Sequence, residues 1–278
     1  MNETTPSLLL DVQGLEVHFG STSDPVRAVD RVDFQIFSGE IVALVGESGS
    51  GKSISALSLA KLVPEPAGRI VGGKIFFQPL EKQKGAGSAC LETLGLKESE
   101  LRKIRGRKIA YIFQEPATSL NPVFTVGWQI GEAIRLHRRG VRVKAEAAKL
   151  LADVGLPDPK RTAKAYPHEL SGGMQQRAMI AMALACNPDL LVADEPTTAL
   201  DVTVQKQILE LLVELRKTRD LSILLITHNL GIVADIADRV YVMNNGKIVE
   251  SGETKTVLRA PQHDYTKKLL NAVPRLHR

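Results

Sequence analysis

Apolar positions along the chain switch repeatedly between strand and helix periods. Leu8–His18 mixes alternation with an apolar run, and Arg31–Phe37 sets Val32, Phe34 and Ile36 on one face, so both predict strands. Ile41–Val45 is wholly apolar, as expected of a strand buried on both faces. It runs into a glycine-rich loop and a helix-like segment, Lys52–Leu62, stopped by Pro64 and Pro66. Ile70–Phe77 and Lys108–Phe113 predict further strands, with Lys82–Ser88 as a surface loop between them. From about Asn121 to Cys186 the pattern is helical, in Val126–His137, Val143–Val154 and Gly172–Ala185. Strand and helix then alternate. Leu190–Ala193, Leu221–Ile226 and Val240–Met243 read as strands, the last closed by an Asn245-Gly246 turn. Leu230–Ala237 reads as a helix, as does Val202–Thr218, with Val204, Ile208, Leu211, Leu212 and Leu215 at helical spacing. Such alternation predicts an α/β fold around a parallel sheet, interrupted by a helical insertion.

Composition narrows the class. The 278 residues can form one large or two modest domains, and 44% hydrophobic with 24% charged residues excludes disorder. A net charge of +5 suits an anionic partner (nucleotide, acidic lipid or nucleic acid) without choosing among them. Cys90 and Cys186 are too few for a disulfide framework or a four-thiolate site, and a reducing cytoplasm is the expected setting. Met1–Pro6 shows no secretory pattern. The longest apolar stretches, around Ala178–Cys186 and Leu221–Ile226, fall short of the roughly 18 residues of a membrane span. Any membrane role is therefore expected to pass through a partner.

Two motifs carry chemistry. Gly46-Glu47-Ser48-Gly49-Ser50-Gly51-Lys52-Ser53 matches the phosphate-loop pattern, between the apolar strand and the helix that pattern requires. Its glycines let successive N–H groups turn inward, and the helix that begins at its end, through Ile54, offers its positive pole to phosphate. Lys52 is expected to reach the β- and γ-phosphates of a nucleoside triphosphate, and the Ser53 hydroxyl to bind Mg²⁺. Leu190–Ala193 ends in Asp194-Glu195. Asp194 fits support of Mg²⁺ and Glu195 a base that polarises attacking water.

A third segment, Leu170-Ser171-Gly172-Gly173-Met174-Gln175-Gln176-Arg177, resembles the signature of ABC (ATP-binding cassette) ATPases. The family's other motifs follow in its order. Phe113-Gln114-Glu115-Pro116 resembles the Q-loop, Ala199-Leu200-Asp201 the D-loop, and Thr227-His228 the switch histidine. The resemblance implies a P-loop core with a mainly parallel sheet and an N-terminal antiparallel β subdomain over 6–120 and 187–252. It also implies an inserted α-helical subdomain over 121–186 and a short C-terminal helical tail over 253–278. It implies ATP and Mg²⁺ as cofactors. Phe19 would stack on adenine, and Gln114 would complete the Mg²⁺ and water environment. Ser171, Gly172, Gly173 and Gln175 would meet ATP held by an opposite subunit, with Asp201 in the cross-dimer contact. His228 would hydrogen-bond the γ-phosphate. The commonest signature has Gln where this chain has Met174, and many relatives have Asp where it has Asn229; neither position supplies a phosphate or metal ligand.

Gly46–Ser53, Phe113–Pro122 and Pro261-Gln262-His263-Asp264-Tyr265-Thr266 resemble the peptide and nickel importer branch. That resemblance implies a peripheral subunit at the cytoplasmic face of the inner membrane. Its partners would be two transmembrane permeases, a second similar ATPase and an extracellular solute-binding protein. The cargo would be di- or oligopeptides, with nickel or a metal complex as the alternative. Many peptide members carry a C-terminal cysteine cluster; none is read here, so no iron–sulfur centre is expected. Ser119–Trp128 is the candidate grip on a permease. The basic runs Arg102–Lys108 and Arg138–Arg142 lack interleaved aromatics, so no nucleic-acid partner is expected. The rival class, a soluble ABC ATPase acting on DNA or ribosomes, would need a long coiled coil or two fused cassettes. Neither is visible.

Overall fold

The computed structural model describes residues 7–21, 23–80, 89–198 and 200–272. The predicted loop Lys82–Ser88, Ala199 of the D-loop-like segment and the ends of the chain lie outside them. Elements follow in the order β1 (Leu8–Gly20), β2 (Pro25–Phe37), β3 (Ile41–Val45), α1 (Lys52–Ser58), β4 (Gly68–Phe77), β5 (Leu91–Glu92) and α2 (Glu98–Ile104). Next come β6 (Ile109–Ile112), α3 (Pro116–Ser119), α4 (Val126–His137), α5 (Val143–Asp153), α6 (Pro159–Thr162), α7 (Gly172–Ala183), β7 (Leu190–Asp194) and α8 (Val202–Arg219). The chain then runs through β8 (Ser222–Thr227), α9 (Leu230–Ile236), β9 (Arg239–Asn244), β10 (Lys247–Glu253), α10 (Thr254–Arg259) and α11 (Asp264–Asn271).

Contacts divide the chain into two units, residues 1–101 with 222–278, and residues 102–221. In the first unit, β2-β1-β4-β5 form an antiparallel sheet. Val32, Phe34 and Ile36 of β2 are buried, while Arg31 before them and Asp33 between them are exposed and Gln35 is half-buried, as the alternation predicts. A second group surrounds β3, which pairs in parallel with β8 on one side and β9 on the other; β10 adds antiparallel to β9. All five β3 side chains are buried, which is why that strand shows no alternation. In the second unit β6 and β7 pair in parallel, Ile109 opposite Leu190 through Ile112 opposite Ala193. Helices α4, α5 and α7 bury Ile130, Ile134, Leu150, Leu151, Met179 and Ile180 there.

One boundary departs from the sequence reading, and two elements go beyond it. The helix after the glycine-rich loop ends at Ser58, not Leu62. The Ser58 hydroxyl donates to the Ile54 carbonyl, Leu59 N–H to Ala56, and Lys61 takes a left-handed φ of 52°, so the chain leaves the helix before the prolines. The Asn245-Gly246 turn, with φ of 47° and 78°, does more than close a strand: it joins β9 to β10 as a hairpin. The segment Glu98–Ile104, only whose end from Arg102 falls in the basic run of the sequence reading, is a helix with Glu98 and Glu100 in its first turn. Among the described residues no helix is long and apolar enough to cross a membrane.

Candidate functional site

In the first unit, β3 delivers the chain into the Gly46–Ser53 loop and α1 takes it out. Two of its glycines are sterically required. A Cβ at Gly46 would lie 2.1 Å from the Met243 carbonyl oxygen, and one at Gly51, where φ is 103°, 2.3 Å from that of Ala28. β9 and β2 therefore press directly on the loop backbone. Lys52 is 6% exposed, and its ammonium donates to the Gly46 and Glu47 carbonyls, both at 2.8 Å, and to Ser50 Oγ at 3.3 Å. A buried ammonium so surrounded puts one fixed positive charge inside a ring of backbone. Ser48 and Gly49 form the exposed crest, while Ser53 and Ile54 are half-buried on the first turn of α1.

Also in this unit, His228 is exposed just past the end of β8. The next residue, Asn229, caps α9 by accepting from Gly231 N–H at 2.9 Å, and its own N–H goes to Thr227 Oγ1 at 3.0 Å. Asn thus performs the capping for which Asp is equally suited. Phe19 lies near the end of β1, half-buried, with its ring so close over Gly68 that a Cβ there would meet Cζ at 2.7 Å.

In the second unit, Asp194 ends β7 and is half-buried. Glu195 follows with φ of 46°, an uncommon conformation for a non-glycine residue. Its Oε2 accepts from Gln114 Nε2 at 3.2 Å and from the Thr198 hydroxyl at 2.9 Å. Gln114 lies two residues beyond β6, so the parallel β6–β7 pair brings these two candidates together. Sequence reasoning missed Thr198; its place three residues after the acid, in a tight turn, was the available signal.

Ser171 caps α7, its Oγ accepting from Met174 N–H at 3.4 Å, and is exposed beside Gly172. Gly173 faces Val204, whose methyl would meet an added Cβ at 2.7 Å. Gln175 turns inward: its amide donates to the Pro167 and Leu170 carbonyls at 2.8 and 3.1 Å and so braces the turn ahead of the helix. Asp201 is the corresponding cap of α8, accepting from Val204 N–H at 3.0 Å.

Candidates for partner contact also lie in this unit. Val123, Phe124 and Trp128 are 69, 38 and 41% exposed, and the two rings stack with centroids 4.1 Å apart. Arg135 lies over the Trp128 ring at 5.8 Å. The indole borders a cleft of about 610 Å³ whose other walls include Val143, Ala147 and Ala163.

Comparison with known proteins agrees with these motifs. A family model described as ABC transporter matches residues 29–198, and one described as the C-terminal region of oligopeptide/dipeptide transporters matches residues 249–278. The chain is 48% identical over 268 residues to the dipeptide transport ATP-binding protein DppD of Escherichia coli, covering 96% of this chain and 78% of the relative. It is 51% identical over 270 residues, with the same two coverages, to a Brucella melitensis protein provisionally named as a peptide import ATP-binding protein. Among solved structures it is similar to a dimeric ATP-binding cassette in a post-hydrolysis state bound to ADP and Pi. That likeness has a TM-score of 0.74 and 26% identity, covering 88% of this chain and 99% of the other. With the phosphate loop, the acid pair and the signature all placed on its described elements, this chain belongs to the ABC transporter family.

Proposed function

We infer that the chain binds and hydrolyses ATP to power import of di- or oligopeptides, working with membrane permeases and a second ATPase subunit. The observation that carries the catalytic part is the closed phosphate loop, with the Lys52 ammonium held at its centre by Gly46 and Glu47. The peptide part is supported by the close relatives named for dipeptide and peptide transport.

In this reading Gly46–Ser53 and Ile54 hold the phosphates, Lys52 countering the charge of the β- and γ-groups. The hydroxyl of Ser53, the amide oxygen of Gln114 and the carboxylate of Asp194 are hard oxygen donors of the kind Mg²⁺ takes alongside substrate phosphates. Mg²⁺ supplies charge neutralisation on the transferring phosphoryl group. Glu195 is the base for attacking water, and Thr198 with Gln114 fixes its carboxylate. His228 hydrogen-bonds the γ-phosphate, and Phe19 packs against adenine. Ser171, Gly172 and Gly173, at the positive end of the twelve-residue α7, meet the ATP of the second subunit, and Asp201 lies in the same dimer contact. Gln175 acts there by bracing the turn. We place 121–186 as the helical subdomain and 253–278 as the C-terminal tail. Phe124 and Trp128, exposed beside the cleft of α4, are the grip on a permease. The subunit is membrane-associated; we place it at the cytoplasmic face, below permeases fed by a solute-binding protein.

Reconstitution of the chain with its permeases and binding protein in vesicles tests this. Peptide-stimulated, Mg²⁺-dependent ATP hydrolysis is expected. Stimulation by a nickel complex and not by peptides would overturn the cargo, and no hydrolysis in the full assembly would overturn the motor.

A further inference from the structure

We propose that Tyr265 and Lys268 of α11 are positioning residues for the phosphate loop, holding Glu47 so that the C-terminal helix sets the loop's affinity for ATP. The proposal rests on the reading of Gly46–Ser53 as the ATP site.

The Glu47 N–H donates to the Tyr265 hydroxyl at 2.8 Å. The carbonyl of the same residue accepts from the Lys52 ammonium, also at 2.8 Å. Glu47 therefore stands between α11 and Lys52: the hydroxyl fixes one side of the residue, and the other side seats the charge that meets phosphate. The hydroxyl comes from a fixed place. Tyr265 is 8% exposed, and its ring belongs to a buried cluster with Ala43 and Val45 of β3 and Leu230 and Val233 of α9. The start of α11 is anchored as well. Glu250 of β10 accepts from Gln262 N–H at 2.7 Å and His263 N–H at 3.1 Å, and His263 Nδ1 accepts from Tyr265 N–H at 3.1 Å. Burial alone would raise the Glu250 carboxyl; the hydrogen bonds to its charged form outweigh that and leave it below the ordinary 4.5.

The second contact concerns charge. Glu47 is the one acid in a loop built to hold an anion. Lys268 Nζ lies 3.1 Å from Glu47 Oε1, drawing that carboxylate toward α11 and offsetting its charge. The two side chains are 71% and 55% exposed, so the pair adds little to folding. Its effect falls on a polyanionic ligand close by, through the net charge that ligand meets.

The test is equilibrium titration of the full chain with a fluorescent ATP analogue and Mg²⁺, beside steady-state hydrolysis by the assembled transporter. Tyr265→Phe keeps the buried ring and removes only the hydroxyl. It is expected to weaken ATP binding about three- to tenfold, the size of one hydrogen bond, raising KM with little change in kcat. Lys268→Ala is expected to weaken binding about twofold to fivefold. That loss should vanish in a Glu47→Gln background, which a merely structural role for Lys268 would not produce. Wild-type affinity in Tyr265→Phe overturns the role of the hydroxyl, and an equal Lys268→Ala loss in both backgrounds overturns the charge argument. Lys52→Ala separates the two levels. If it too binds ATP normally, the site reading fails; if it alone binds weakly, only the inference about α11 fails. Should Tyr265→Phe fold poorly, the Lys268 and Glu47 cycle, made at the surface, still decides.

Discussion

Gln114 Nε2 donates to Glu195 Oε2 at 3.2 Å, across the ends of two parallel strands. The acid adopts a left-handed φ of 46°, which costs a non-glycine residue about 1–2 kcal/mol, and that cost is borne where Gln114 and Thr198 hold its carboxylate. Glu195→Gln keeps the size and one acceptor oxygen but removes the basicity. Folding and ATP binding should survive, while single-turnover hydrolysis should fall about 10²- to 10⁴-fold. Near wild-type turnover would remove Glu195 from the chemistry. Thr198→Val should give a smaller loss, because it frees the carboxylate without deleting it.

The phosphate loop makes an internal comparison possible. Gly49 and Gly51 both have positive φ, 79° and 103°, but a Cβ on Gly49 meets nothing within 4 Å, whereas on Gly51 it strikes the Ala28 carbonyl at 2.3 Å. Gly49→Ala should therefore cost about 1 kcal/mol of backbone strain and bind ATP with modest loss. Gly51→Ala must displace β2 or the loop itself, so ATP binding should be lost and the melting temperature lowered. Calorimetry and nucleotide titration of the two variants check the order; equal behaviour would show that the contact with Ala28 yields easily.

Local signals explain which parts of this site were legible in sequence. The phosphate loop and the Asp194-Glu195 pair are contiguous and flanked by apolar strands, so residue type and spacing sufficed. The contacts that orient them are not contiguous. Tyr265 lies 218 positions from Glu47, and only the hairpin of β9 and β10 with its following helices brings them together. β10 itself was missed because its burial is mostly intermediate, without clean alternation. Gln175 was read as a ligand contact on resemblance; the geometry shows its amide on two backbone carbonyls.

That glutamine belongs to a repeated device, and the repetition gives a prediction. Thr125, Ser171 and Asp201 cap α4, α7 and α8, and in each helix the residue four positions on is Gln. Gln129 donates to the Asn121 and Phe124 carbonyls, Gln175 to Pro167 and Leu170, and Gln205 to Thr197 and Leu200. Each cap holds the helix start while its Gln holds the incoming loop, and the three loops are those proposed for partner contact. Gln205→Leu leaves two carbonyls without their donor and should cost about 1–3 kcal/mol. Its hydrolysis should fall in the dimer more than its ATP affinity does in the monomer. An unchanged melting temperature would show that water replaces the amide.

The two cysteines should differ sharply in reactivity. Burial pushes the Cys186 thiol up from the ordinary 9.0 to about 11, although Arg138 and Arg107 pull the other way. The residue is 8% exposed, with Sγ 3.4 Å from the Ala133 carbonyl, whereas Cys90 is exposed. The thiolate is the reactive form, so at pH 8 only about one Cys186 in a thousand carries it, and access is restricted besides. A native sample treated with a maleimide at pH 8 should take up one label quickly, at Cys90, and a second only in denaturant. Linkage gives the matching pH dependence. The folded state holds the proton more tightly than the unfolded chain, so this contribution is complete below pH 9.0 and is lost as pH rises toward about 11. A Cys186→Ala variant should lose that alkaline slope while being less stable at neutral pH. Two fast labels on the native protein would contradict the burial on which both expectations stand.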